Sequence, residues 1–173
     1  MADWPQSLPF NRIVLSSFSL LGPANGMNVS TIATGAWPAA NRAIYLPFRL
    51  IYPFSVAKMF TIIGTDFSGS IDLGIYSHDG TRLVSSGIGT PTAINSIYSV
   101  DITDTTLGPG LYYMAMSNGI VGSFQRTAVG IRPMQNLGCL EQAGAHPLPS
   151  AAIFTATSAN YFPVIAITSK TVI

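Results

Sequence analysis

Apolar and polar residues alternate with a period of two along much of this chain. The clearest case is Ile71-Asp72-Leu73-Gly74-Ile75-Tyr76, where Ile71, Leu73 and Ile75 share one side and Asp72, Gly74 and Tyr76 the other. That is the period of a strand with one buried face and one wet face. Ser77-His78-Asp79-Gly80 follows. Asp and Gly accept positive φ at low cost, so the chain is predicted to reverse here into a second strand carrying Leu83. Gly80 is expected in a left-handed turn position and His78 at the exposed tip. Tyr76, opposite the apolar triplet, is expected to face outward or into a second packed sheet.

Residues 43–50 and 55–63 are rich in β-branched and aromatic side chains and predict two more strands. Pro47 confines the first of them to an edge or a bulge. Over residues 96–103, Tyr98, Val100 and Ile102 alternate with Ser99, Asp101 and Thr103. Leu107-Gly108-Pro109-Gly110 then turns the chain into Leu111-Tyr112-Tyr113-Met114-Ala115-Met116. Weaker strand patterns lie at 13–20, 29–34, 124–131, 152–157 and 163–168. The remainder of 119–150 reads as a long, ordered, irregular segment. About ten short strands, turn residues between them and no amphipathic helix predict an all-β, single-domain antiparallel β-sandwich. A jelly roll is preferred to an immunoglobulin-type sandwich, whose paired cysteines are absent. Residues 1–10 show no periodicity and read as an extended N-terminal arm ahead of a sandwich domain at 11–173. In that arm Trp4, Pro5, Leu8 and Phe10 offer apolar anchors for a partner, and prolines pre-extend the chain.

Composition narrows the function classes. Only 9% of the 173 residues are charged, against about 25% in a typical soluble domain. Such a surface suits contact with other protein chains, whose interface cores are depleted in charge. Eight basic residues nearly balance seven acidic ones, with no basic cluster, which argues against nucleic acid as a partner. The single cysteine, Cys139, cannot form an intramolecular disulfide. No charged, then apolar, then small-residue pattern opens the chain, so no secretory signal is expected. The most apolar run, 43–63, is interrupted by Pro47, Arg49, Pro53 and Lys58. A membrane span needs about 20 mainly apolar residues, so none is expected.

Chemistry is sparse. His78 and His146 are the only histidines; they lie far apart in sequence, and with Cys139 they supply no recognisable ligand set. A zinc site needs about three protein ligands at suitable spacing, so no metal or cofactor is assigned. Asp66, Asp72, Asp79, Asp101 and Asp104 form no calcium-loop pattern and read as solvated loop acids. Glu141 is the only glutamate and lies in the irregular segment. Neither a Gly-x-Ser-x-Gly elbow nor a phosphate-binding loop is present. No catalytic residue is assigned, and the chain is expected not to be an enzyme. Tyr45, Tyr52, Tyr76, Tyr98, Tyr112, Tyr113 and Tyr161 read mostly as sheet and core residues. Together with Trp4 and Trp37 they are also the residues from which a sugar-stacking platform or an interface belt would be built; Trp37 joins the arm residues as a partner-binding candidate.

Several of these stretches resemble a group of small β-sandwich proteins of tailed bacteriophages. The resemblance is carried by Asp72-Leu73-Gly74-Ile75-Tyr76 with Asp79-Gly80-x-Arg82-Leu83-Val84, and by Leu107-x-Pro109-Gly110-x-Tyr112-Tyr113-x-Ala115. His146-Pro147-Leu148-Pro149, Ala43-x-Tyr45-x-Pro47-Phe48 and Val56-x-Lys58 add to it. It covers roughly residues 40–170 and its motifs are structural. It implies a virion structural protein, with capsid decoration or cement as the first reading and a fibre-type module binding host-surface glycans as the alternative. The implied partners are other virion proteins, capsid or tail subunits, together with further copies of the chain, a trimer being the first expectation.

Overall fold

A computed structural model describes residues 14–16 and 33–169. The arm at 1–10, with Trp4, Pro5, Leu8 and Phe10, lies outside the described residues. The strands are β1 (Val14–Ser16), β2 (Ala33–Ala36), β3 (Arg42–Leu50), β4 (Phe54–Ile62), β5 (Ile71–Ser77), β6 (Arg82–Ser85) and β7 (Ile97–Leu107). Then follow β8 (Gly110–Asn118), β9 (Ser123–Thr127), a short helix α1 (Ile131–Asn136), β10 (Leu140–Gln142), β11 (Thr155–Ala156), β12 (Phe162–Pro163) and β13 (Ile165–Ser169). The chain is an all-β sandwich of antiparallel sheets. One sheet runs β1-β13-β4-β7, the second β11-β10-β3-β8-β5-β6, and a small third β12-β9-β2.

The core lies between the two large sheets. Ile44, Leu46 and Phe48 of β3, Leu73 and Ile75 of β5, and Met114 and Met116 of β8 supply one side. Val56 and Met59 of β4, Ile102 and Leu107 of β7, and Ile165 and Ile167 of β13 supply the other. On β3, β5, β8 and β13 these positions alternate, as a pleated strand requires, while the register shift between Val56 and Lys58 interrupts the alternation in the β4–β7 pair. Truncating any one of the larger of them to alanine costs about 2–5 kcal/mol.

The β5–β6 hairpin forms as its sequence predicts. The Gly80 amide donates to the Ser77 carbonyl at 3.1 Å and the Ser77 amide to the Thr81 carbonyl at 2.9 Å. Gly80 has φ +91°, so this is a three-residue loop whose last residue is left-handed. Pro47 sits in a strand with neighbours on both sides, yet β10 pairs only with Ala43–Tyr45. Beyond Tyr45, β3 is an edge on that side, which is where a proline is tolerated.

Three sequence expectations need correction. The Asp72-Gly74-Tyr76 side of β5 is not wet, since all three residues are buried. Residues 152–157 yield only the two-residue strand β11, and the helix α1 stands within the stretch read as irregular. Trp37 is 1% exposed. It packs edge-on against Phe124 and Tyr161, with ring centroids 5.5 and 5.3 Å away, and its indole N–H donates to the Arg42 carbonyl at 3.0 Å. A side chain held this way seats the small sheet and presents no surface to a partner.

Candidate functional site

The buried side of β5 is covered by residues 143–154, which leave β10, cross the outer face of the six-stranded sheet to its β6 edge, and return to β11. The path is fixed by backbone pairing at the far edge. The Arg82 amide donates to the Ser150 carbonyl at 2.9 Å and the Ala152 amide to the Gly80 carbonyl at 2.8 Å. A Cβ on Gly80 would stand 2.9 Å from the Ala152 oxygen, so this glycine serves both the turn and the close approach. Leu148 lies over Gly74, and Phe154 packs on Tyr45 and Tyr113 with centroids 5.0 and 4.8 Å apart. Tyr45 in turn meets Tyr76 edge-on at 5.2 Å.

Asp72, Tyr76 and Arg82 each find hydrogen-bond partners under this cover. Asp72, 1% exposed, accepts from the Ser85 and Ser86 hydroxyls at 2.8 and 3.3 Å on Oδ1 and from the Leu148 amide at 3.0 Å on Oδ2. Tyr76 donates to the Pro149 carbonyl at 2.5 Å, and Arg82 donates to the Leu148 carbonyl. Burial pushes the Tyr76 phenol far up, helped by Tyr45 beside it, and pushes Tyr45 up to about 12. Both stay protonated donors at any ordinary pH.

At one end of this face the loop places His146 between two serines. Ser70 Oγ is 2.9 Å from its Nε2 and Ser117 Oγ 3.0 Å from its Nδ1. Ser70 precedes β5, Ser117 is in β8, and Ser117 stands opposite Asp72 in the strand register. Burial lowers the His146 pKa, and the Asp72 charge opposes that shift. No sequence motif signals this group, because its members come together only through the covering loop.

A second feature lies at one end of the sandwich, where β3 passes to β4 and β7 to β8. Pairing of Leu50 with Gly110 and of Phe54 with Leu107 sets the two links side by side. Arg49, Leu50, Ile51, Pro109, Gly110 and Leu111 line an open groove of about 640 Å³. Ile51, Tyr52 and Leu111 are 69%, 74% and 46% exposed. Among the described residues the ion pairs are Arg42–Glu141 and Lys58–Asp101, so Arg49 has no carboxylate partner there.

The other predicted residues are scattered. His78 is exposed at the hairpin tip, apart from His146. Beside it Asp79 is held below the usual carboxylate range by the Ser77 hydroxyl and the Thr81 amide. Glu141 accepts from Arg42, Thr157 and Ser158 and ties β3 and β10 to the segment that follows β11. Cys139 is a buried free thiol, pushed up to about 12 by burial. Among the described residues no three His, Cys, Asp or Glu side chains group closely enough to hold a metal ion. No helix there is long and apolar enough to cross a membrane. No family model, curated protein or solved structure matches this chain.

Proposed function

We propose that the chain is a structural accessory protein of a phage virion, a decoration or cement protein built on a jelly roll. The observation that carries this reading is the apolar end of the sandwich, where Ile51, Tyr52 and Leu111 stand open to water around a groove. Clustered exposed apolar side chains mark interaction surfaces. Burying each of these three contributes roughly 1.5–3 kcal/mol before ordering costs are subtracted. A symmetric shell multiplies such a modest contact over many copies. The strand orders β1-β13-β4-β7 and β3-β8-β5-β6 support the jelly-roll reading, an architecture common in capsid and lectin domains. The low charge suits the same role.

The capsid or tail protein beneath would supply the complementary surface, and copies of the chain would associate with one another, as a trimer in the first instance. Tyr52, the most exposed ring of the tip, also favours a second reading, a fibre-type module that stacks host-surface glycans on aromatic side chains. Quantitative mass spectrometry of purified particles tests the first. Many copies per particle are expected, with occupancy reduced by about tenfold or more in Ile51→Asp while melting is unchanged. Absence of the chain from intact particles would overturn the proposal, and specific retention on a glycan array would support the fibre-type reading instead.

A further inference from the structure

We infer that Ser70 and His146 form a nucleophile–base pair capable of acyl transfer from short-chain carboxylic esters, with Ser117 and Asp72 as positioning residues. This activity is additional to the structural role and does not rest on it. The pair meets the geometric requirement for an activated serine, a hydroxyl within hydrogen-bond reach of an imidazole whose other nitrogen is held by a third group. Ser70 Oγ is 2.9 Å from Nε2 and Ser117 Oγ is 3.0 Å from Nδ1.

Three observations give the two serines different roles. Ser117 is fully buried, whereas Ser70 is only partly buried, so of the two Ser70 is the one a substrate can reach. Asp72 is the cross-strand neighbour of Ser117, which puts its negative charge on the Nδ1 side of the ring. That charge favours the proton on Nδ1, donated to Ser117 Oγ, and leaves the Nε2 lone pair to accept from Ser70. It also stabilises the imidazolium formed when Ser70 loses its proton. Finally, the backbone of Gly119 braces the pair. Its amide donates to the Ser70 carbonyl at 3.0 Å, and a Cβ there would stand 3.0 Å from His146 Cδ2 and 3.2 Å from Ser70 Oγ. Beside Ser70, Ile120 lies against Gly69 and offers an apolar rest for a short acyl chain.

In the step, Ser70 Oγ bonds to the ester carbonyl carbon while its proton passes to Nε2. The tetrahedral adduct collapses, the bond from carbon to the leaving oxygen breaks, and that oxygen takes the proton from Nε2. Water then repeats the sequence on the acyl-serine, releasing the carboxylic acid and restoring Ser70. The lowered pKa of His146 keeps the base neutral at pH 7.

A fluorophosphonate probe reads the first half of this step, because the serine oxygen bonds to phosphorus as fluoride leaves. Intact mass and peptide mapping of the full chain should show one phosphonyl group, on Ser70. Labelling should vanish in Ser70→Ala and slow by about a hundredfold in His146→Gln and about tenfold in Ser117→Ala. The wild-type protein supplies a test that needs no variant. Its labelling rate between about pH 5 and about pH 8 should fall on the acid side with a single protonation below the ordinary histidine range. A folded chain that takes up no label at Ser70, labels other serines equally, or labels at a rate indifferent to pH would overturn the proposal.

Discussion

The two large sheets each have an outer face, and the two faces end in opposite states. On the four-stranded sheet, Lys58, Ser99 and Asp101 are open to water, and the Lys58–Asp101 ion pair at 2.6 Å is exposed on both sides. On the six-stranded sheet, the equivalent positions Asp72, Tyr76 and Ser117 are buried beneath residues 143–154. Both faces carry polar residues in the same alternation. The difference is that the loop brings its own backbone amides and carbonyls to Asp72, Tyr76 and Arg82. A polar strand face can therefore become interior when a distant segment satisfies it group by group, and an unsatisfied one stays wet because burial would cost too much.

The sharpest way to break this contrast is to remove the anchor. Asp72→Ala should leave the Leu148 amide and the Ser85 hydroxyl without their acceptor, costing about 3 kcal/mol, read as a lower urea midpoint with an unchanged slope. Gly80→Val should come next, at about 2 kcal/mol or more. The valine would be strained at φ +91° and would press on the Ala152 carbonyl 2.9 Å away. Tyr76→Phe removes the bond to the Pro149 carbonyl and should cost about 1 kcal/mol. On the open face, Asp101→Ala should change stability by no more than about 0.5 kcal/mol, since an exposed ion pair contributes little. His78→Ala at the hairpin tip should do no more. If Asp101→Ala and Asp72→Ala gave equal losses in the same melting series, the contrast between the faces would be lost.

Acid provides a further separation of the two faces. The His146 pKa is lowered from the unfolded value of 6.5, so the folded state binds its proton less readily. Stability is therefore full above about pH 6.5 and declines as pH falls from there toward the folded pKa. In His146→Gln that part of the decline should disappear from pH-dependent melting curves.

Much of the sandwich could be read from the chain, and the reason is local. In β3, β4, β5, β6 and β8 the period, the turn residues and the side-chain types agree, so 43–50, 55–63 and the Asp79-Gly80 hairpin stand close to where they were expected. The covering loop could not be read, because its strands β10 and β11 are three and two residues long. Its stabilising partners lie far away in sequence, as Leu148 does from Asp72. Trp37 illustrates the same limit, since nothing local says that Phe124 and Tyr161 will close around it. The meeting of Ser70, Ser117 and His146 depends on that loop and was equally invisible. The apolar tip was half legible, because Pro53 and Gly108-Pro109 marked the turns but not their adjacency.

Native-state hydrogen exchange at Leu148 tests the central claim most directly, because this amide is the donor to the buried Asp72 carboxylate. If residues 143–154 seal the sheet as part of one cooperative unit, Leu148 should exchange with the same opening free energy as the β5 and β8 amides beneath it. Exchange at the rate of an exposed loop, with β5 and β8 still protected, would contradict the account.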